Sequence, residues 1–321
     1  MRAGLVWVGA LLLAACSKQS APLYLPEGDN YPQTLSEWGM LQLGSGHLQP
    51  VAAVTPYDLN TPLFTDYAHK MRTVWMPAGS AAAYGEEHFD FPVGTVLTKT
   101  FYYPKDEQGR LRLNSQDDRD AHSGLALDRV HLVETRILLK QKSGWVALPY
   151  VWDAKQQEAH LELAGDSQSL SLLDDKGQTL AVDYEVPDAN QCAGCHEESH
   201  GQGINPLGPK ARHLNKDLVY ADGSANQLVH WQQKGLLSGL PADLSGVPQN
   251  ALWSHPREGE SLEKQARSYL DANCAHCHNP KGPARTSGLM LNLATATGIH
   301  SGLCKQPVAA GKGWASPPAG S

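Results

Sequence analysis

"RVHLVETRILLK" (129–140) and "GWVALPYVW" (144–152) decide how the longest part of this chain is read. Both are rich in β-branched and aromatic residues, which pack well on a pleated, half-buried surface. Working outward, "VGTVLTKTFYY" (93–103), "AHLELAG" (159–165) and "TLAVDYEV" (179–186) have the same character, and "DDKGQ" (174–178) reads as a hairpin turn. Each run is bounded by Gly, Pro, Asp or Asn, and no helix-period segment of useful length interrupts the stretch from about Pro50 to Pro187. The pattern predicts an antiparallel β domain of sandwich type over 50–187. Trp145, Tyr150 and Trp152 are expected to pack its core rather than to line a carbohydrate groove. His69, His88, His122, His131 and His160 lack the short spacings of a metal site and read as surface or internally satisfied residues.

The character changes after Pro187, where short helical patterns alternate with Gly/Pro loops. "ANQLVHWQQKGLL" (225–237) predicts a helix anchored by Leu228, Trp231 and Leu236. "SLEKQARSYLDANC" (261–274) predicts another, with Ser261 as its cap. Lys264 stands where a capping box needs Glu or Gln, so the reciprocal bond is not expected.

At 321 residues, with 41% hydrophobic and 18% charged residues, the chain is long enough for two globular regions and is not disordered in composition. Its formal charge of −7, without a Lys/Arg cluster, speaks against a nucleic-acid partner. Residues 1–15 carry Arg2 and then an apolar run too short to span a bilayer, the pattern of an export signal. The run ends in Leu13-Ala14-Ala15-Cys16, which resembles the lipobox of bacterial lipoproteins. That resemblance implies acylation of Cys16, a lipid anchor and a periplasm-facing protein, with the outer membrane favoured because Ser17 is not acidic. Residues 16–49 then form a tether and lead-in segment.

Four cysteines fall into Cys192-Ala193-Gly194-Cys195-His196 and Cys274-Ala275-His276-Cys277-His278. A zinc ribbon needs its two knuckles close together, whereas 78 residues separate Cys195 from Cys274. A thioredoxin-like disulfide needs a βαβ setting that is missing here. Neither chemistry requires the histidine that follows each pair. Covalent haem uses every residue of the motif: two thiols three apart add to the two vinyl groups of one porphyrin, and the next histidine reaches the iron. Two such motifs on an exported chain predict two covalently bound haem c groups, with His196 and His278 as proximal iron ligands. The expected class is therefore α+β multidomain: the antiparallel β-sandwich-like domain, then an α-helical, loop-rich cytochrome c-like region over 188–321.

With these motifs in place, "YPQTLSEWGML", "TPYDLNTPLFTDYAHKMR", "ETRILLK…GWVALPYVW", "CAGCHE…NPLGPKARHLN" and "ARSYLDANCAHCHNPKGPA…SGLMLNL" resemble a family of exported dihaem c-type cytochromes, largely uncharacterised, with a β-rich N-terminal domain. The likeness runs from about Tyr31 to Gly313. It implies electron transfer between redox protein partners, such as a dehydrogenase or other cytochromes. The alternative is a dihaem peroxidase-like enzyme with one open haem.

Each iron needs a sixth position accounted for. For the first haem, His213 and His230 are the candidates, since His200 lies too near His196 to cross the porphyrin. Lys210 and Arg212 are candidate partners of the haem propionates. For the second haem, Met290 and His300 lie downstream, and 43 residues follow His278. The ending "GKGWASPPAGS" shows neither helix nor strand pattern, and an interrupted C-terminus is expected from it. Cys304 is a leftover thiol with no assigned state.

Overall fold

The computed structural model describes residues 25–26, 28–113, 124–197, 203–253, 260–306 and 308. Cys16, His122, His200 and the terminal stretch lie outside the described residues.

Six strands follow one another as a meander: β1 (Thr55–Tyr57), β2 (His69–Trp75), β3 (Val96–Pro104), β4 (Val130–Gln141), β5 (Gly144–Trp152) and β6 (Ala159–Leu161). They form one sheet in the order β6-β5-β4-β3-β2-β1, every neighbouring pair antiparallel. The β4–β5 hairpin closes on Gly144 at φ +131°, a backbone conformation that glycine adopts without a Cβ clash. Side chains alternate between the two faces. Met71, Val96, Ile137, Leu148 and Tyr150 point one way, into a core shared with Leu41, Leu48 and Leu125. Those three belong to a small sheet of Leu41–Gly44, His47–Pro50 and Leu125–Ala126.

On the opposite face, Phe101 packs with Leu172 and Tyr184 from the hairpin of β7 (Asp166–Leu173) and β8 (Thr179–Val186). The predicted turn at 174–178 joins that hairpin, with Asp174 Oδ1 accepting from the amides of Lys176 and Gln178. The β-rich, antiparallel reading of 50–187 therefore holds, and Trp145, Tyr150 and Trp152 are buried as core residues. The sandwich form needs correction. One six-stranded sheet is covered on both faces by smaller three-stranded sheets, rather than facing one partner sheet. The cause lies in β3 and β4, which are buried on both faces over most of their length and so require cover on both sides.

After Pro187 the described residues contain α1 (Ala189–His196), α2 (Ala211–Leu214), α3 (Gln227–Gln233) and α4 (Leu262–Asn273). The expected helical region is thus mostly loop, with short ladders of its own; Leu237–Ser238 even pairs with Ala82–Ala83 beside the main sheet. Leu228 and Trp231 of α3 share a core with Tyr57, Val74 and Leu97. The change at Pro187 is one of local structure, because the apolar cores on its two sides are continuous. Both predicted helices form, the first only over Gln227–Gln233, so that Leu236 lies beyond its end, and Ser261 caps α4 by accepting from the amide of Lys264 at 3.1 Å. Among the described residues no helix is long and apolar enough to cross a membrane.

Candidate functional site

Helix α1 presents the first motif. Asp188 caps it: its carboxylate accepts from the amide of Gln191 at 2.7 Å, and Gln191 Oε1 accepts from the Asp188 amide at 2.9 Å. This reciprocal box satisfies two otherwise orphaned donors and sets the first turn of the helix. Cys192 is buried toward the six-stranded sheet, while Cys195, three residues on, is exposed. Cys192 and His196 line one cleft together with Leu97, Leu138 and Leu148 of the sheet and the Pro206–Pro209 segment. The walls stand close, leaving about 40 Å³. The cleft shares Leu63 and Arg72 with a wider groove of about 790 Å³, lined by Phe64, Tyr67, Trp253 and Tyr269. Asp66 and Tyr67 at its rim take left-handed φ of 41° and 64°. Non-glycine residues there cost ~1–3 kcal/mol each, and such strain clusters at functional sites.

His196 Nδ1 lies 2.7 Å from the carbonyl oxygen of Asn205, so the ring donates from Nδ1 and leaves Nε2 as the nitrogen with a lone pair. A donor bond of this kind fixes the tautomer of a metal-binding histidine and raises its basicity. Burial, and then the Lys99 ammonium, push the imidazole down to about 3, so it is neutral throughout the physiological range.

The second motif begins where α4 ends. Cys274 caps the helix, with its amide donating to Leu270 O, and the amides of Cys277 and His278 turn back onto Cys274 O at 3.1 and 2.9 Å. His278 Nδ1 is 3.3 Å from Ser287 Oγ, whose own hydroxyl proton goes to Ala284 O at 2.7 Å. Here too Nδ1 donates, to the Ser287 oxygen, and Nε2 keeps its lone pair. Both motif histidines therefore have Nδ1 engaged, His196 by a backbone carbonyl and His278, more loosely, by a serine hydroxyl.

The two motifs lie within electrostatic reach of each other: Cys277 senses Cys195, and His196 senses His276. The segment that joins them runs from Asn60 to Thr65. The Asn60 amide donates to His213 O, Leu63 lines the first cleft, and Asn273 brackets Phe64 N and Pro62 O at 2.6 and 3.1 Å.

The distal candidates are placed differently from one another. His213 is buried, with Nδ1 2.9 Å from Gly208 O and Nε2 3.4 Å from Asp271 Oδ2. Both nitrogens lie within hydrogen-bond reach of protein oxygens, so the ring braces the fold and neither nitrogen faces open space. His230 stacks on Tyr220 with ring centroids 3.6 Å apart. Met290 lines a groove of about 370 Å³ with Ala266, Leu270 and Leu303, against α4. His300 is exposed. Arg212, expected to meet a propionate, is tied to Asp271 at 2.8 Å and to Glu87 at 2.8 Å. Sequence reasoning passed over the basic residues that do face the first cleft, Arg72, Lys99 and Arg136. Their signal was present in "HKMR", "LTKT" and "ETRI", but only strand pairing reveals that they meet.

The arrangement of the donors bears on the three readings of the motifs. Among the described residues no three His, Cys, Asp or Glu side chains converge as a metal cage, so the four cysteines do not form a ribbon's tetrahedron. All four are free thiols. Burial pushes the thiols of Cys192, Cys274 and Cys277 up, away from the thiolate that disulfide exchange needs. A porphyrin iron asks less: one neutral imidazole per motif, with its tautomer held, and two thiols beside it. The residues fit that demand in chemistry, although α1 and the Pro206–Pro209 segment must draw back from the sheet to admit a porphyrin. Cys304 is exposed, at φ +55°. Comparison with family models, with curated proteins and with solved structures finds no match to this chain.

Proposed function

We propose that this chain is a dihaem c-type cytochrome that passes electrons between protein partners on the periplasmic side of a membrane. Cys192 and Cys195 would hold one porphyrin, Cys274 and Cys277 the other, with Nε2 of His196 and of His278 as proximal ligands. The observation that carries this reading is the shared preparation of the two histidines, each with Nδ1 engaged and Nε2 left for a metal. When bound, the groups supply one-electron transfer. The protein supplies a fixed tautomer, an apolar wall against water, and a segment, residues 60–65, that ties the two motifs together. Cys16, outside the described residues, would carry the lipid anchor.

Protein matured in a host with haem-attachment machinery should give a haem-staining band after denaturation, with two haems per chain. Replacing Cys192 and Cys195 by alanine should halve the stain. Stoichiometric zinc without haem would sink the reading, and rapid peroxide turnover by the dihaem form would replace the carrier with an enzyme. Mass spectrometry of the mature N-terminus tests the anchor: an unmodified terminus removes it.

A further inference from the structure

Four basic side chains stand on the sheet face that looks toward α1. Strand register sets Arg72 opposite Lys99 and Lys99 opposite Arg136, on three adjacent strands, with Lys70 two residues before Arg72. Like charges directly opposite one another destabilise a sheet, and unpaired burial of a charge is costlier still. Two carboxylates answer them, and both are already engaged. Glu134 is fully buried and held by Arg136 through two bonds, at 2.8 and 2.5 Å, with the Tyr184 hydroxyl donating at 2.6 Å. Asp58 is divided between Arg72 at 3.3 Å and Lys216 at 2.7 Å. Lys99 makes no hydrogen bond or ion pair among the described residues; its ammonium sits over the Phe101 ring, 5.0 Å from the centroid. Burial, then Arg136 and Arg72, push it down to about 7. Arg72, Lys99 and Arg136 all line the cleft that Cys192 and His196 line.

We propose that the row Arg72–Lys99–Arg136 is a carboxylate-binding floor of this cleft, completed by an anionic group that enters beside Cys192 and His196. Two sources have that chemistry: the propionates of a haem attached at the first motif, or a free organic carboxylate. The first source rests on the dihaem reading and the second does not. An arginine on either side of a central lysine suits a pair of carboxylates, because the guanidinium groups offer planar donor forks and the ammonium a point charge between them.

The test uses full-length haem-loaded protein, wild type against Lys99→Met, with Lys99→Gln as a second neutral variant. Loss of a charge repelled on both sides should leave either variant foldable. If propionates occupy the floor, both variants keep two haems, the propionate modes in resonance Raman spectra shift, and at fixed potential one haem moves about tenfold toward its oxidised form, ~59 mV for a one-electron couple. Lys99→Arg restores both signals. If a free carboxylate occupies it, haem spectra and potentials stay put, while succinate at constant ionic strength raises the melting temperature of wild type and not of the variants. Neither response, in variants that fold and bind haem as wild type does, overturns the proposal. Wild type without haem defeats the dihaem reading, and the succinate titration still decides the floor.

Discussion

The two Cys-x-x-Cys-His segments share a five-residue pattern and differ in nearly everything around it. The first rides on a helix with a complete capping box, pressed against a sheet whose facing row is cationic. The second hangs from the C-terminal end of α4 in a run of turns, half-buried, and its thiols are shifted by burial and by neighbouring cysteines, with no cation among the causes. The difference teaches that the motif is a local matter, set by thiols and an imidazole at fixed spacing, whereas its electrostatic setting is a tertiary one. Cations and a low dielectric near an iron disfavour its ferric charge. The first site has both, and the second is more open.

Asp271 ties the surroundings of the two sites together. It lies on α4, one turn before the second motif, and takes up Arg212 at 2.8 Å, Asn250 at 3.1 Å and the backbone amide of Leu293 at 3.0 Å, besides His213. Breaking this clamp should have the largest effect. Asp271→Ala strands a buried guanidinium and should cost ~3–5 kcal/mol, read from the urea unfolding midpoint. A loss below 1 kcal/mol would show that the two regions do not depend on each other.

The same clamp predicts an acid limb. Burial alone would raise the Asp271 carboxyl, but His213 and Arg212 outweigh it and hold the group well below the usual carboxylate range. A depressed folded value means that the stabilisation is complete above the unfolded value, ~4, and is lost as pH falls from there through the folded one. Asp271→Asn should flatten this part of the stability–pH curve. An unchanged slope in that variant would assign acid unfolding to other carboxylates.

His213→Gln sharpens the comparison at a smaller scale. As a brace between Gly208 O and Asp271, the residue should cost ~1–2 kcal/mol when replaced, with the haem absorption bands unmoved. A high-spin band appearing in the variant would restore His213 as an iron ligand. The smallest effects concern the helix caps. Asp188→Ala and Ser261→Ala should each lose ~1 kcal/mol. Only the first should speed hydrogen exchange around its motif, because Cys192 lies within a turn of its cap and Cys274 stands at the far end of α4. Equal exchange at both motifs in both variants would remove the contrast.

Much of this was legible before folding. The strands at 130–141, 144–152 and 179–186, the turn at 174–178 and the helix at 262–273 all follow from periodicity, turn residues and a serine cap, which act over a few neighbours. The capping box of α1 was equally local, since Asp188 and Gln191 stand at the right spacing for it, but the cysteines drew the reading past them. The cover on both faces of the sheet was harder to see, because the charged and hydroxyl residues at the centres of β3 and β4 read as an exposed face, and nothing local says which segments bury them.

By itself, then, the sequence determined the cysteine–histidine spacing, the antiparallel strands and two of the helices, because each is written in residues that touch along the chain. The tertiary structure alone decided that Arg72, Lys99 and Arg136 meet beneath Cys192, that His213 is a brace, and that Asp271 ties one motif's surroundings to the other's. Those residues are separated by tens to more than a hundred positions, and strand register and burial, which bring them together, are properties of the whole fold rather than of any window in it.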